Sequence, residues 1–121
     1  MRSDYETERA ADIRVEDREG VTIIRLMGHI DESAADALNS RLDEILDNGE
    51  NRIVFDLSQV KFMGSSGLGQ IMRVYRDLRD SEGFVRIVNP QPLIEDLFEL
   101  TKLNKIITIH PTIEDAIGGE E

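Results

Sequence analysis

Ser65 and Ser66 are the side chains of this sequence best placed to do chemistry. They stand between Gly64 and Gly67, inside the run FDLSQVKFMGSSGLGQIM at residues 55–72. Val54, Phe55 and Leu57 before them are strand-like, and Leu68, Ile71, Met72, Tyr75 and Leu78 after them recur at helical spacing. The pair therefore sits where a strand turns into a helix. A hydroxyl at such a point can cap the helix, attack an acyl group, or accept a phosphate, which a helix N-terminus tolerates. The nucleophile elbow G-x-S-x-G does not fit. The flanks of Ser65 are Met63 and Gly67, and those of Ser66 are Gly64 and Leu68. His29 and His110 are the only histidines that could serve as a base. Capping and phosphate acceptance both stay open on these residues alone. A phosphate would add roughly −1.5 to −2 charge, which the helix dipole accommodates and a partner surface carrying carboxylates resists.

Other constellations carry less chemistry. His29, Asp31 and Glu32 cluster, but without the Cys/His spacings of a zinc site. The chain has no cysteine, which excludes disulfides and thiolate metal sites. No G-x-x-x-x-G-K-[ST] loop offers to cradle a nucleotide. No catalytic residue, metal or cofactor is expected. Arg73, Arg76 and Arg79 recur every three residues and read as one exposed stripe, either paired with Asp77 and Asp80 or facing a partner.

The elements that must hold the serine turn can be read on either side of it. A weak strand at 13–15, a turn at Glu19-Gly20 and a strand at 21–27 read as a hairpin, closed by Gly28. Asp31 or Ser33 can cap a helix running to about Asn48, with Ala34, Leu38, Leu42, Ile45 and Leu46 on its apolar stripe. A strand at 52–57 follows. Its consecutive Ile53, Val54 and Phe55 predict burial on both faces. After the serine turn and its helix come a strand at 84–88 and a helix opened by Pro90 and Pro92 that carries Leu93, Leu97, Phe98 and Leu100. A strand at 106–109 and a helix from Pro111 complete the order ββαβαβαβα. The leucine and isoleucine stripes of all four helices read as core. Alternating strands and helices imply crossovers and mostly parallel pairing, with function at the carboxyl ends of the strands. The loops at 28–31 and 63–67 are expected to lie side by side there.

Composition narrows the partners. The chain has 121 residues, enough for one domain with a core. Fourteen basic residues against 25 acidic give a net charge of −11, which disfavours nucleic acid and anionic membranes and favours a basic partner. No apolar run approaches the roughly 20 residues that span a bilayer, so no membrane insertion is expected. Residues 1–12 read as a flexible leader and 118–121 as a tail, around a domain at 13–117. A soluble, cytoplasmic protein, monomeric or weakly dimeric, is the expectation.

The segment IVFDLSQVKFMGSSGLGQIM at 53–72 resembles the phosphorylation-site region of the STAS family, and more narrowly of bacterial anti-sigma factor antagonists. The resemblance extends through GHIDESAADALNSRLDEIL at 28–46 and VRIVNPQPLIEDLFELTKLNKIITIHPTIEDAI at 85–117. It rests on D-L-S-x-V-x-F-M, S-S-G-L-G and the late L-x-x-L-N-K-I together. It implies an α/β, STAS-like fold: a mixed four- to five-stranded sheet with about four helices packed mainly on one side. It also implies a binding switch rather than an enzyme. Such an antagonist binds an anti-sigma factor that is also a serine kinase, is expelled when that kinase phosphorylates it, and is restored by a serine phosphatase. The family's phosphoacceptor falls on Ser65 and its loop acid on Asp31. The implied docking surface takes in Asp31, Gly64, Ser65, Ser66, Gly67, Arg73 and Arg76. One departure stands out: the family pattern has aspartate before the serine pair, where this chain has Gly64. STAS-like domains also serve as scaffold or accessory subunits of stress-sensing assemblies and membrane transporters, which is the alternative role.

Overall fold

A computed structural model describes residues 11–118 of the chain. Strands β1 (Asp12–Arg18) and β2 (Val21–Ile30) form the expected hairpin. Its two-residue turn places both Glu19 (φ 57°) and Gly20 (φ 81°) in the left-handed region, which matches the twist of paired strands. The chain continues through α1 (Glu32–Asp47), β3 (Arg52–Met63), α2 (Ser65–Leu78), β4 (Phe84–Val88) and α3 (Pro92–Thr101). A 3₁₀ turn (Leu103–Lys105), β5 (Thr108–His110) and α4 (Ile113–Gly118) follow. The leader expected at 1–12 lies almost wholly outside the described residues, and β1 begins one residue inside it. Of the expected tail, Gly118 closes α4 and the rest lies outside the described residues.

The five strands lie in the order β1-β2-β3-β4-β5, with only the first pair antiparallel. Spatial order therefore follows chain order. Each parallel step moves the same way across the sheet, and right-handed crossovers put α1, α2 and α3 on one face. The main core lies beneath them. Ile53, Phe55 and Leu57 point into it from β3, Ile24 and Leu26 from β2, and Leu38, Leu42, Ile71, Val74 and Phe98 from the helices. The short α4 follows the last strand, takes part in no crossover, and packs on the opposite face. There Ala116 joins Val21, Ile23, Val54 and Val88, with Ile113 and Ile117 beside them. Buried Arg86 fastens this arrangement. Its Nη1 donates to the Ala116 carbonyl at 2.8 Å, and its guanidinium lies 3.7 Å from the centre of the Phe84 ring. No helix among the described residues is long and apolar enough to cross a membrane.

Two strands run further than their sequence pattern indicates. Gly28 does not end β2, which continues to Ile30, and β3 runs to Met63 rather than stopping at Leu57. Pairing of β3 with β4 ends at Asp56↔Val88, but pairing with β2 continues to Ile30↔Met63. The β2–β3 ladder shifts register between Arg25 and Met27 and again between Gly28 and His29. On β3 the buried positions Leu57, Val60 and Met63 are spaced by three, so the period-two alternation is lost there; on β2 it persists through Leu26, Gly28 and Ile30, where the glycine conceals it. The last strand is also displaced. Ile106 is exposed, Ile107 enters the main core, and β5 starts at Thr108.

Candidate functional site

The ends of β2 and β3 carry the two loops singled out in the sequence and lock them together. Ile30 and Met63 are the last paired residues of the ladder, and the Gly64 N–H then donates to the Ile30 carbonyl at 3.0 Å. Asp31 follows Ile30 and Ser65 follows Gly64, so both side chains rise from one clamped point. Both are exposed, as is Ser66. The expected adjacency of the loops is therefore present in the fold.

The capping roles divide differently from the sequence expectation. Asp31 is the N-cap of α1: its Oδ1 accepts the Ala34 N–H at 3.0 Å, and Ser33 lies inside the first turn. At α2 neither serine is the cap. Gly64 takes that position in extended backbone (φ −83°, ψ 177°) and offers no side-chain bond, so Ser65 and Ser66 are the first two helical residues. The first turn of α2 contains no acidic residue. The Ser65 hydroxyl thus stands at the positive end of a 14-residue helix without a cap bond to make.

Gly67 has a packing role. It is buried, and a Cβ there would lie 2.8 Å from Cγ2 of Ile30 and 3.2 Å from Cγ of Met63. Absence of a side chain at 67 is what lets α2 start hard against the end of β2.

The arginine stripe is not uniform. Arg76 and Arg79 are exposed, and Arg79 lies 4.0 Å from Asp80. Arg73 departs from the expected exposed stripe, because its side chain is only 23% exposed. It hydrogen-bonds Asn39 and Asp43 on α1 and lies 3.7 Å from Asp77, which ties the two helices below the serine turn. His29 stacks on Phe62, with ring centres 6.1 Å apart and planes 28° apart. Nδ1 of His29 and Nε2 of His110 are buried without a hydrogen-bond partner among the described residues. Among the described residues no cluster of His, Cys, Asp or Glu is suited to hold a metal ion.

Beside the serine turn lies a feature that the sequence pattern concealed. A groove of about 140 Å³ is lined by Phe62, Met63, Leu93, Ile94 and Leu97. Leu93 and Leu100, expected in the core, are 63% and 81% exposed. The signal was present in α3, whose apolar positions 93, 94, 97, 98 and 100 cover more of the helix than one core-facing stripe needs. Ile94 and Phe98 take the core, which leaves the row through Leu93, Leu97 and Leu100 over.

Comparison with known proteins identifies this arrangement. The STAS domain family matches residues 12–116. The chain belongs to the STAS domain family. An anti-sigma F factor antagonist of Paenibacillus polymyxa is 30% identical over 106 residues, which cover 87% of this chain and 91% of that protein. The crystal structure of an anti-sigma factor antagonist from Mycobacterium paratuberculosis superposes with a TM-score of 0.82 at 31% identity, covering 90% of this chain and 92% of that one. The phosphorylated form of the Bacillus cell-fate determinant SpoIIAA superposes at 0.72 and 25% identity, covering 88% and 96%. The mixed five-stranded sheet with its helices is thus the architecture of STAS proteins.

Proposed function

We propose that this STAS domain is an anti-sigma factor antagonist controlled by phosphorylation of Ser65. Unphosphorylated, it binds an anti-sigma factor that is also a serine kinase, and the sigma factor is freed. The kinase then transfers the γ-phosphoryl group of ATP to the Ser65 hydroxyl, whose proton is lost, and the antagonist leaves. A serine phosphatase hydrolyses the phosphoester and restores the binding form. The cycle runs in the cytoplasm, where sigma factors work. The observation that carries this reading is the exposed Ser65 at the uncapped start of α2, clamped next to Asp31 by the Gly64–Ile30 hydrogen bond. The names of the relatives support it.

The residues of the docking surface take different parts. Asp31, Ser65, Ser66 and Arg76 are exposed and available for contact. Buried Gly67 and the interhelical Arg73 act by fixing where that surface stands. A dianion on Ser65 adds charge and bulk at its centre. A loss of about 3 kcal/mol there weakens binding more than a hundredfold. The experiment is to incubate the chain with a serine-kinase anti-sigma factor and ATP and to map the product by mass spectrometry. Phosphate is expected on Ser65, and Ser65→Glu is expected to bind at least a hundredfold more weakly. Label on another residue, with Ser65→Ala regulated normally, refutes the assignment.

A further inference from the structure

We infer that the groove between Phe62 and α3 is the anchor point of the docking face, and that its occupant is an apolar side chain on a basic helix of the anti-sigma partner. The inference rests on the function proposed above and adds to it where the partner holds on and what chemistry it presents.

Three observations lead there. First, the groove is apolar and open. Phe62 is 43% and Leu93 63% exposed, and Met63, Ile94 and Leu97 form the rest of its lining. Its volume of about 140 Å³ is well below the roughly 300–1,000 Å³ of a small-molecule site and suits one large side chain. Second, it adjoins the serine turn. The position of a Cβ on Gly64 is 3.6 Å from Cε2 of Phe62, so residue 64 touches the groove wall on one side and leads into Ser65 on the other. A helix laid along this rim with one residue in the groove passes beside the Ser65 hydroxyl. Third, the surroundings are acidic. Asp96 is exposed on α3 one turn from Leu93, and Asp31 and Glu32 are exposed at the start of α1 beside the serine turn, against the exposed Lys61 on β3. With a net charge of −11 on the chain, a second copy is repelled from this face, whereas a helix carrying lysine or arginine around its apolar anchor is drawn to it. Apolar anchors of this kind dominate many interfaces, because the ring of polar contacts around them excludes water.

The test measures binding of the full chain to its serine-kinase anti-sigma factor, using wild type, Leu93→Ser, Phe62→Ala, Ile106→Ser and Ser65→Glu. Leu93 is exposed, so its loss leaves the fold intact, and thermal melts of every variant confirm this independently. Leu93→Ser and Phe62→Ala are expected to raise Kd at least tenfold. Ile106→Ser, an exposed apolar change outside the groove, is expected to change it less than twofold. Raising salt from 50 to 500 mM is expected to weaken binding at least tenfold. If Ser65→Glu disrupts binding while both groove variants bind within twofold of wild type, the groove assignment falls and the proposed function stands. If Ser65→Glu binds like wild type, the proposed function itself falls. Affinity insensitive to salt overturns the basic partner. A wild-type dimer in sedimentation equilibrium that Leu93→Ser dissociates overturns the anti-sigma occupant in favour of a second copy.

Discussion

Alanine at Gly67 and at Gly69 is the same chemical change two residues apart on one helix, and the structure predicts opposite signs. At Gly69 an added Cβ meets nothing within 4 Å. The only effect is then the better helix propensity of alanine, about 0.8–1 kcal/mol in a helix interior. At Gly67 the Cβ would lie 2.8 Å from Ile30 Cγ2, 3.2 Å from Met63 Cγ and 3.4 Å from the Ile30 carbonyl. Ile30 is fully buried and Met63 nearly so, at 0% and 5% exposure, so neither can swing aside. Overpacking of this kind costs about 1–3 kcal/mol. Gly67 is only the third residue of α2, so the propensity gain offsets less of that cost than it would further along. The net expectation is a loss of about 1 kcal/mol for Gly67→Ala against a gain of about 1 kcal/mol for Gly69→Ala. In a domain of this size 1 kcal/mol moves Tm by about 4 °C. Thermal unfolding followed by circular dichroism should therefore separate the two variants by about 8 °C, with wild type between them. A Gly67→Ala protein as stable as Gly69→Ala would show that α2 does not start against the end of β2, and the clamped geometry of the serine turn would go with it.

Two further outcomes follow from the same geometry. Gly83→Ala places a Cβ 1.7 Å from the Asn51 carbonyl oxygen, which already accepts the Phe84 N–H at 2.9 Å. Backbone must move on both sides, and a loss of about 3 kcal/mol is expected in urea unfolding. Gly64→Asp supplies the missing cap: the backbone is already extended there, and the nearest neighbour of the new Cβ, the Phe62 ring, is at ordinary contact distance. A gain of about 0.5 kcal/mol, near 2 °C in Tm, is expected for the unmodified protein. The gain should shrink once Ser65 is phosphorylated, because two negative groups then share one helix end.

What the sequence disclosed about this fold depended on how regular each part is. The central strand was visible because Ile53, Val54 and Phe55 are buried on both faces, and a short unbroken apolar run between polar flanks fits a strand covered above and below. α1 was visible because its stripe faces a single core. The far ends of β2 and β3 were hidden, since a glycine fills the buried position 28 of β2 and the buried positions of β3 after Leu57 fall out of alternation. The position of α4 on the opposite face was hidden as well, because its apolar residues say that it packs but not against which side. At the site, the serine turn and its neighbouring acid were legible as a motif. The cap was not, for a glycine without a side-chain bond leaves no pattern. Leu93 passed as a core residue because hydrophobicity in a sequence does not distinguish an interior from a surface awaiting a partner.

The portion of β2 and β3 that bears the serine turn projects past the end of the β3–β4 ladder, so three of the five strands come to their last pairing below it or lie outside it. This overhang divides the molecule into a chassis and a coupling. Substitutions at the exposed rim can alter what that rim contacts while the sheet beneath keeps its register and its two cores. The rim can therefore be rewritten residue by residue without touching the pairings that hold the other strands together.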